Sequence, residues 1–301
     1  MLVPMLPRLM VLGAALLFST GGAAIKGTAL TAWQTGGIRS AIAAVALLLL
    51  LPGARRGWSW RVLPVGLFYA LTLVSFVQAN KLTTSANAIF LQSTAPAYLL
   101  LIGPLFLKEH LRRRDLWFSL ALVAGMALFF TGVETPAATA PNPGAGNLWA
   151  IASGACYAIT LAGLRWQAHH SGQRDAALAT VTAGNIIAAM LCFPGAWPLP
   201  AIRPFDLAVL AYLGVFQIGL AYLLLTTGMR RVPAFEASTL LLLEPVCNPI
   251  WTWFFHHEQP SLRSLAGGAI ILLATLANML AERASPTPDP SATAGTAVRS
   301  E

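Results

Sequence analysis

The chain has 301 residues, of which 56% are apolar and only 10% charged, with a net charge of +8. A soluble domain carries about 25% charged residues, so the polar surface here is too small to cover a water-facing fold. Three cysteines exclude a disulfide scaffold, 25 glycines without a period of three exclude collagen, and the apolar content excludes disorder for most of the chain. What remains is an all-α integral membrane protein, because every backbone polar group in lipid must pair internally.

A crossing needs about 20 apolar residues. Ten candidate spans follow in chain order: Leu9–Ile25, Gly36–Leu51, Val62–Ala79, Ser85–Leu107, Leu116–Val133, Leu148–Gln167, Ala176–Phe193, Phe205–Thr227, Ala237–Phe255 and Leu265–Ala281. The first resembles a signal peptide in having Arg8 before its apolar stretch, but the spans behind it favour an uncleaved helix. The fourth contains Pro96 and Pro104 and the ninth Pro245 and Pro249, which predicts kinks. Cys156, Cys192 and Cys247 lie inside apolar runs and read as small fillers. The chain divides into a first unit over 1–133, a linker over 134–147, a second unit over 148–283 and a Ser/Thr/Ala/Pro tail over 284–301 that is expected to be disordered.

Lys and Arg cluster in the links, which fits a membrane orientation signal better than a nucleic-acid surface. With ten spans and a cytoplasmic N-terminus, 14 of them fall on the cytoplasmic side and 5 (Lys26, Arg39, Lys81, Arg203, Arg263) on the other. The bias predicts both termini in the cytoplasm.

The halves also resemble one another at a fixed offset. Residues 80–88 align with 229–237, Pro96 with Pro245, Glu109 with Glu258 and Arg114 with Arg263, all without a gap. Each half has five spans. An odd number turns the second half upside down, giving two inverted five-helix repeats, an architecture of secondary transporters with substrate held at the repeat interface.

The runs Pro96–Glu109 and Leu242–Glu258, each followed by a glycine-bearing helix (Gly125; Gly267 and Gly268), resemble the drug/metabolite transporter superfamily. The resemblance is to its EamA-type proteins, and within them to aromatic amino-acid exporters of the YddG type. It covers about residues 9 to 281. It implies ten helices, a bacterial inner-membrane location and outward movement of small metabolites. Glu109 and Glu258 match the acidic residue that ends the fourth and ninth helices, Arg39 a basic residue of the second, and Pro96 and Pro245 the recurrent prolines. Lys108 and His256–His257 depart from the small or apolar residue expected before each Glu.

Polar residues inside spans are costly and should avoid lipid. Glu244 is the sharpest, a carboxylate near mid-span that must be paired or protonated; it reads either as a proton-coupling or ammonium-binding group or as a structural partner for groups freed near Pro245. Tyr69, Thr72, Phe76 and Asn80 share one face of the third helix, and Asn87, Thr94 and Tyr98 one face of the fourth. Tyr222 and Thr226 mark the eighth and Asn248 and Trp251 the ninth, with Tyr157 added from the sixth. These thirteen residues are the candidate walls of a substrate cavity, against the alternative of interhelical hydrogen bonds and interfacial aromatics. Lys26 and Arg39 read as either attracting a carboxylate or snorkelling to headgroups. Ala150, Gly154 and Ala158 read as a packing face.

His110 and Asp115 have an acyltransferase-like spacing, but the link that holds them is too short for an acyl pocket. His256, His257 and Glu258 lack the ligand spacing of a metal site. No nucleotide-binding GxxxxGK[ST] motif occurs, so diffusion, exchange or ion coupling, protons included, must drive any flux. The expectation is a secondary transporter that exports amino acids, aromatic or broadly apolar, as a monomer or weak oligomer among membrane lipids. It carries no cofactor, metal or nucleic-acid partner. The rivals are an exporter of other metabolites or drugs, a His110/Asp115 acyltransferase and a scaffold without cargo.

Overall fold

The computed structural model describes residues 5–99, 113–131, 136–171, 175–229, 231–232 and 234–284. Thirteen α-helices are numbered here: α1 (Met5–Ser19), α2 (Gly21–Gly27), α3 (Ala32–Leu50), α4 (Val62–Leu82), α5 (Ser85–Gln92), α6 (Arg113–Leu128), α7 (Pro143–Ser171), α8 (Ala176–Ala196), α9 (Pro204–Ala211), α10 (Ala221–Gly228), α11 (Ala234–Leu241), α12 (Leu243–His256) and α13 (Leu262–Ala284). A π-helical stretch, Tyr212–Leu220, joins α9 to α10. No named strand occurs among the described residues.

Local chemistry sets several helix ends. Thr31 and Gln34 cap α3 reciprocally: Gln34 N–H donates to Thr31 Oγ1 (3.2 Å) and Thr31 N–H to Gln34 Oε1 (3.1 Å). Thr84 caps α5 by accepting from Asn87 N–H. Pro204 opens α9, where its missing N–H costs nothing. α12 ends at His257, left-handed at φ 51°.

Seven described helices, counting α1–α2 and α9–α10 each as one rod, are long and apolar enough to cross a membrane. The outer surface agrees with a bilayer: Leu49, Trp60, Leu262 and Phe193 all stand exposed. The distribution is inverted relative to a soluble protein, with Arg39, Asn80, Asn87, Ser153 and Asn185 buried. The chain is a multi-pass membrane protein.

Three of the ten candidate runs fall short of a full rod among the described residues: the fifth is a shorter apolar helix over Leu116–Leu128, and two others are broken. The fourth runs as α5, turns at Ser93–Thr94, and is helical again over 95–99. The ninth runs as α11, turns at Leu242, and resumes as α12. Each break lies just ahead of a proline, Pro96 or Pro245, whose ring would clash with the carbonyl four residues earlier and which has no N–H to bond it. α5 and α11 occupy the same positions at the repeat offset of 149 residues. The remainder of the fourth run, with Pro104, and the link residues Lys108, Glu109, His110 and Arg112 lie outside the described residues, as does 285–301.

Side-chain hydroxyls add hydrogen bonds to the backbone at the first break. Ser93 Oγ donates to Ile89 O and Thr94 Oγ1 to Leu91 O. Gly154 of α7 lies against this turn: a Cβ there would stand 3.1 Å from Leu91 O and 3.2 Å from Gln92 O. Ala150 and Ala158, on the same face, are fully buried. This is the close approach for which small residues are used between spans.

Candidate functional site

A cavity of about 170 Å³ lies where the two broken runs approach α1, α3, α4, α7 and the π-helical stretch. Both breaks reach it, the first through Gln92 and Ser93 and the second through Glu244 and Pro245. Discontinuous helices at a central site are the device by which transporters present free helix ends to a ligand.

Six of the thirteen sequence-derived candidates line this cavity: Tyr69, Thr72, Phe76, Tyr157, Tyr222 and Glu244. The hydroxyls of Tyr69 and Tyr222 are 3.0 Å apart, joining α4 to α10. Phe18 meets Tyr222 edge to face with ring centroids 5.3 Å apart. Glu244 is the second residue of α12, where unsatisfied N–H groups and the helix dipole favour negative charge.

The other seven sit elsewhere. Asn80 Nδ2 donates to Phe76 O, and Asn80 Oδ1 accepts from Ser85 Oγ at 2.8 Å, so it braces the start of α5. Asn87 donates to Asn147 Oδ1 at 3.1 Å in a network that includes Thr83. Thr94 caps the break, Tyr98 lies beyond it, and Thr226 bonds Tyr222 O of its own helix. Asn248 is buried with neither amide atom partnered among the described residues, and it presses on Gly22, where a Cβ would lie 2.7 Å from its Oδ1. Trp251 Nε1 donates to Ser19 Oγ at 2.9 Å.

Two cations differ from the snorkelling alternative. Arg39 is the eighth residue of α3, only 2% exposed, and lines the cavity. α3 starts at Ala32 rather than Gly36, which draws Arg39 into the bundle. Its Nε has no partner, and no carboxylate lies within 4 Å of its guanidinium among the described residues. Lys26 is held by Glu258 and by the carbonyls of Thr83 and Thr139. Sequence reading also passed over Phe18, Gln92, Ser93 and Gln217 as cavity residues. The amides were detectable only as isolated polar groups in apolar runs; Gln217 sits in the π-helical stretch, whose wider turn shifts which side chains face inward.

No cluster of three His, Cys, Asp or Glu side chains suited to a metal occurs among the described residues. His256 Nε2 bonds Ala23 O and Glu258 pairs with Lys26, so these neighbours point to different partners. His110 and the side chain of Asp115 lie outside the described residues.

A helical membrane bundle with a charged internal cavity and interrupted spans defines the class of small-solute carriers. The model of the EamA-like transporter family matches residues 5–131 and again residues 144–280. The chain belongs to that family, within the drug/metabolite transporter superfamily. It is 28% identical over 252 residues to the pseudopaline exporter CntI of Pseudomonas aeruginosa strain UCBPP-PA14, covering 79% of this chain and 83% of the relative. An uncharacterized transporter of Archaeoglobus fulgidus is 30% identical over 223 residues, covering 71% of this chain and 74% of the relative. A solved crystal structure shares the fold with a TM-score of 0.58 at 21% identity, covering 90% of this chain and 96% of that one.

Proposed function

We propose that the chain is a secondary exporter of amino acids, aromatic or broadly apolar, working by alternating access through the central cavity. The single observation that carries this reading is the pair of opposite charges on the cavity wall, Arg39 and Glu244, neither neutralised by a protein partner within 4 Å among the described residues. An unpaired buried cation costs several kcal/mol, by order of magnitude, so its retention asks for an anionic ligand. A zwitterion answers both charges at once, with its carboxylate at Arg39 and its ammonium at Glu244. The rings of Phe18, Phe76, Tyr157 and Tyr222 suit an apolar side chain beside them.

The carrier is proposed to have ten spans in two inverted repeats, divided near 133 and 148, with both termini in the cytoplasm of a bacterial inner membrane. Three things support this reading: the twofold match of the family model, the equal offset of α5 and α11, and the convergence of both breaks on one cavity. In that orientation Lys26, Thr83 and Glu258 lie at the outer end, where their contacts hold the exit closed. Substrate enters from the inside, and release requires these contacts to part. The drive is exchange or an ion gradient, with Glu244 as the group that exchanges a proton for the ammonium.

A second reading has a specific support. The CntI relative is named a pseudopaline exporter, so a small metabolite other than an amino acid is the alternative cargo. Counterflow in proteoliposomes separates the two. Saturable exchange of leucine or phenylalanine is expected; a panel in which no amino acid moves while another metabolite does would overturn the amino-acid assignment.

A further inference from the structure

A second cavity lies outside the translocation site. It encloses about 660 Å³ between α2, α9 with the start of the π-helical stretch, and α12. Ala23, Ala24 and Gly27 form one wall, while Phe205, Ala208 and Phe255 are among the residues facing it. We propose that this groove is a binding site for one acyl chain of a membrane phospholipid.

Its chemistry favours an apolar occupant. The few polar side chains that line it are already engaged. Thr20 Oγ1 donates to Leu17 O (2.7 Å) and lies 2.8 Å from Tyr212 OH. Trp251 Nε1 donates to Ser19 Oγ (2.9 Å), and His256 Nε2 is 2.8 Å from Ala23 O. Water needs two to four polar partners to be held in a cavity, and these walls leave too few. An empty space of this size would forfeit the dispersion contacts of every lining atom.

Its location names the occupant. α2 and α9 belong to rods long and apolar enough to cross a membrane, so the exposed lining residues Phe205 (62%) and, on the neighbouring α12, Phe255 (63%) meet hydrocarbon rather than water. The groove lies at helix ends, since Gly27 closes α2, Phe205 follows the first residue of α9, and His256 closes α12. It is thus open at headgroup level. Arg203, just ahead of α9, uses its Nε and one terminal nitrogen on Asp206 while its side chain stays 58% exposed, leaving further N–H groups for a phosphate. A phospholipid can seat its phosphate there and drop one chain into the groove.

The test is photolabelling in proteoliposomes that contain a trace of phosphatidylglycerol with a diazirine near the end of one chain. Peptide mass spectrometry should find adducts on residues 205–212 and 251–256 at least about fivefold above those on Leu49 and Leu273, which are equally open to lipid. Ala208→Trp, or Ala24→Leu where the larger residue prevents insertion, should remove that excess and leave Leu49 and Leu273 labelled as before. Adducts spread in proportion to exposure, or an excess that survives both variants, would overturn the site. Absence of label at Leu49 and Leu273 would instead contradict the membrane placement itself.

Discussion

Lys26 Nζ lies 2.9 Å from Glu258 Oε2, with 4% and 2% of the two side chains exposed. The pair joins the last turn of α2 to the second residue beyond α12. Glu258 also accepts from Ser85 N–H at 2.6 Å, where the start of α5 favours a carboxylate. Lys26 donates further to Thr83 O and Thr139 O. One ion pair therefore fastens elements from both halves of the chain at one end of the bundle. Such a pair adds little net stability over apolar residues of the same shape, but it is costly to break from one side, which suits a closure that must be definite and reversible.

Glu258→Ala should lower stability by about 3–5 kcal/mol, because Lys26 is then buried without its counter-charge. Thermal unfolding in detergent reads this. Lys26→Met combined with Glu258→Ala should be less destabilised than the sum of the single changes; simple additivity would show that the two do not act as a pair.

If the same pair closes the exit, weakening it should open the cavity to the far side. In a background lacking Cys156, Cys192 and Cys247, a cysteine at Ile89, which lines the cavity, should react slowly with a membrane-impermeant thiol reagent applied from outside. Glu258→Gln should speed that reaction several-fold. An unchanged rate would remove Lys26–Glu258 from the gating role.

Arg39→Met should separate function from folding. It replaces a buried cation that has no carboxylate within reach by an apolar chain of similar length, so melting temperature should hold or rise. Transport should fall about 10- to 100-fold, corresponding to one lost charge-assisted hydrogen bond of about 1.5–3 kcal/mol. A melting temperature that drops together with activity would make Arg39 structural.

Glu244→Gln keeps the shape and a hydrogen-bonding group while removing the exchangeable proton. Under proton coupling it should lose gradient-driven uptake and retain substrate exchange, read by imposing a pH gradient on proteoliposomes. Equal responses to pH in variant and parent would count against coupling through Glu244.

Gly125 of α6 and Gly267 of α13 cross with no room for a side chain. A Cβ on Gly267 would lie 2.7 Å from Gly125 O, and one on Gly125 would lie 3.0 Å from Gly267 O. Gly267→Val should therefore cost about 1–3 kcal/mol through overpacking, measured by thermal unfolding. Gly144, which has nothing within 4 Å of its Cβ position, should accept alanine without loss.

Much of this arrangement was legible from residue order. Pro96 and Pro245 announced both breaks, because proline removes a bond at a known distance upstream. Of the helical stripe Tyr69, Thr72, Phe76 and Asn80, the first three line one cavity, while Asn80 braces the start of α5. Other features could not be read. A hydropathy window does not fix where a span starts, and the four residues between Gly36 and Ala32 decide whether Arg39 meets headgroups or the interior. Thr226 shares a face with Tyr222 but satisfies its hydroxyl on its own helix. Phe18 and Gln217 depend on a turn at Thr20 and a π-helical stretch that leave no simple periodic trace.

Recognition of both charges of a zwitterion is the central claim, and competition by trimmed analogues tests it most directly. Counterflow of labelled leucine or phenylalanine should be blocked by the unlabelled amino acid. The matching amine without a carboxylate, and the matching acid without an ammonium, should each need about 10- to 100-fold higher concentration to compete. Competition by either analogue at the concentration of the parent amino acid would contradict the assignment of Arg39 and Glu244 to the two ends of the substrate.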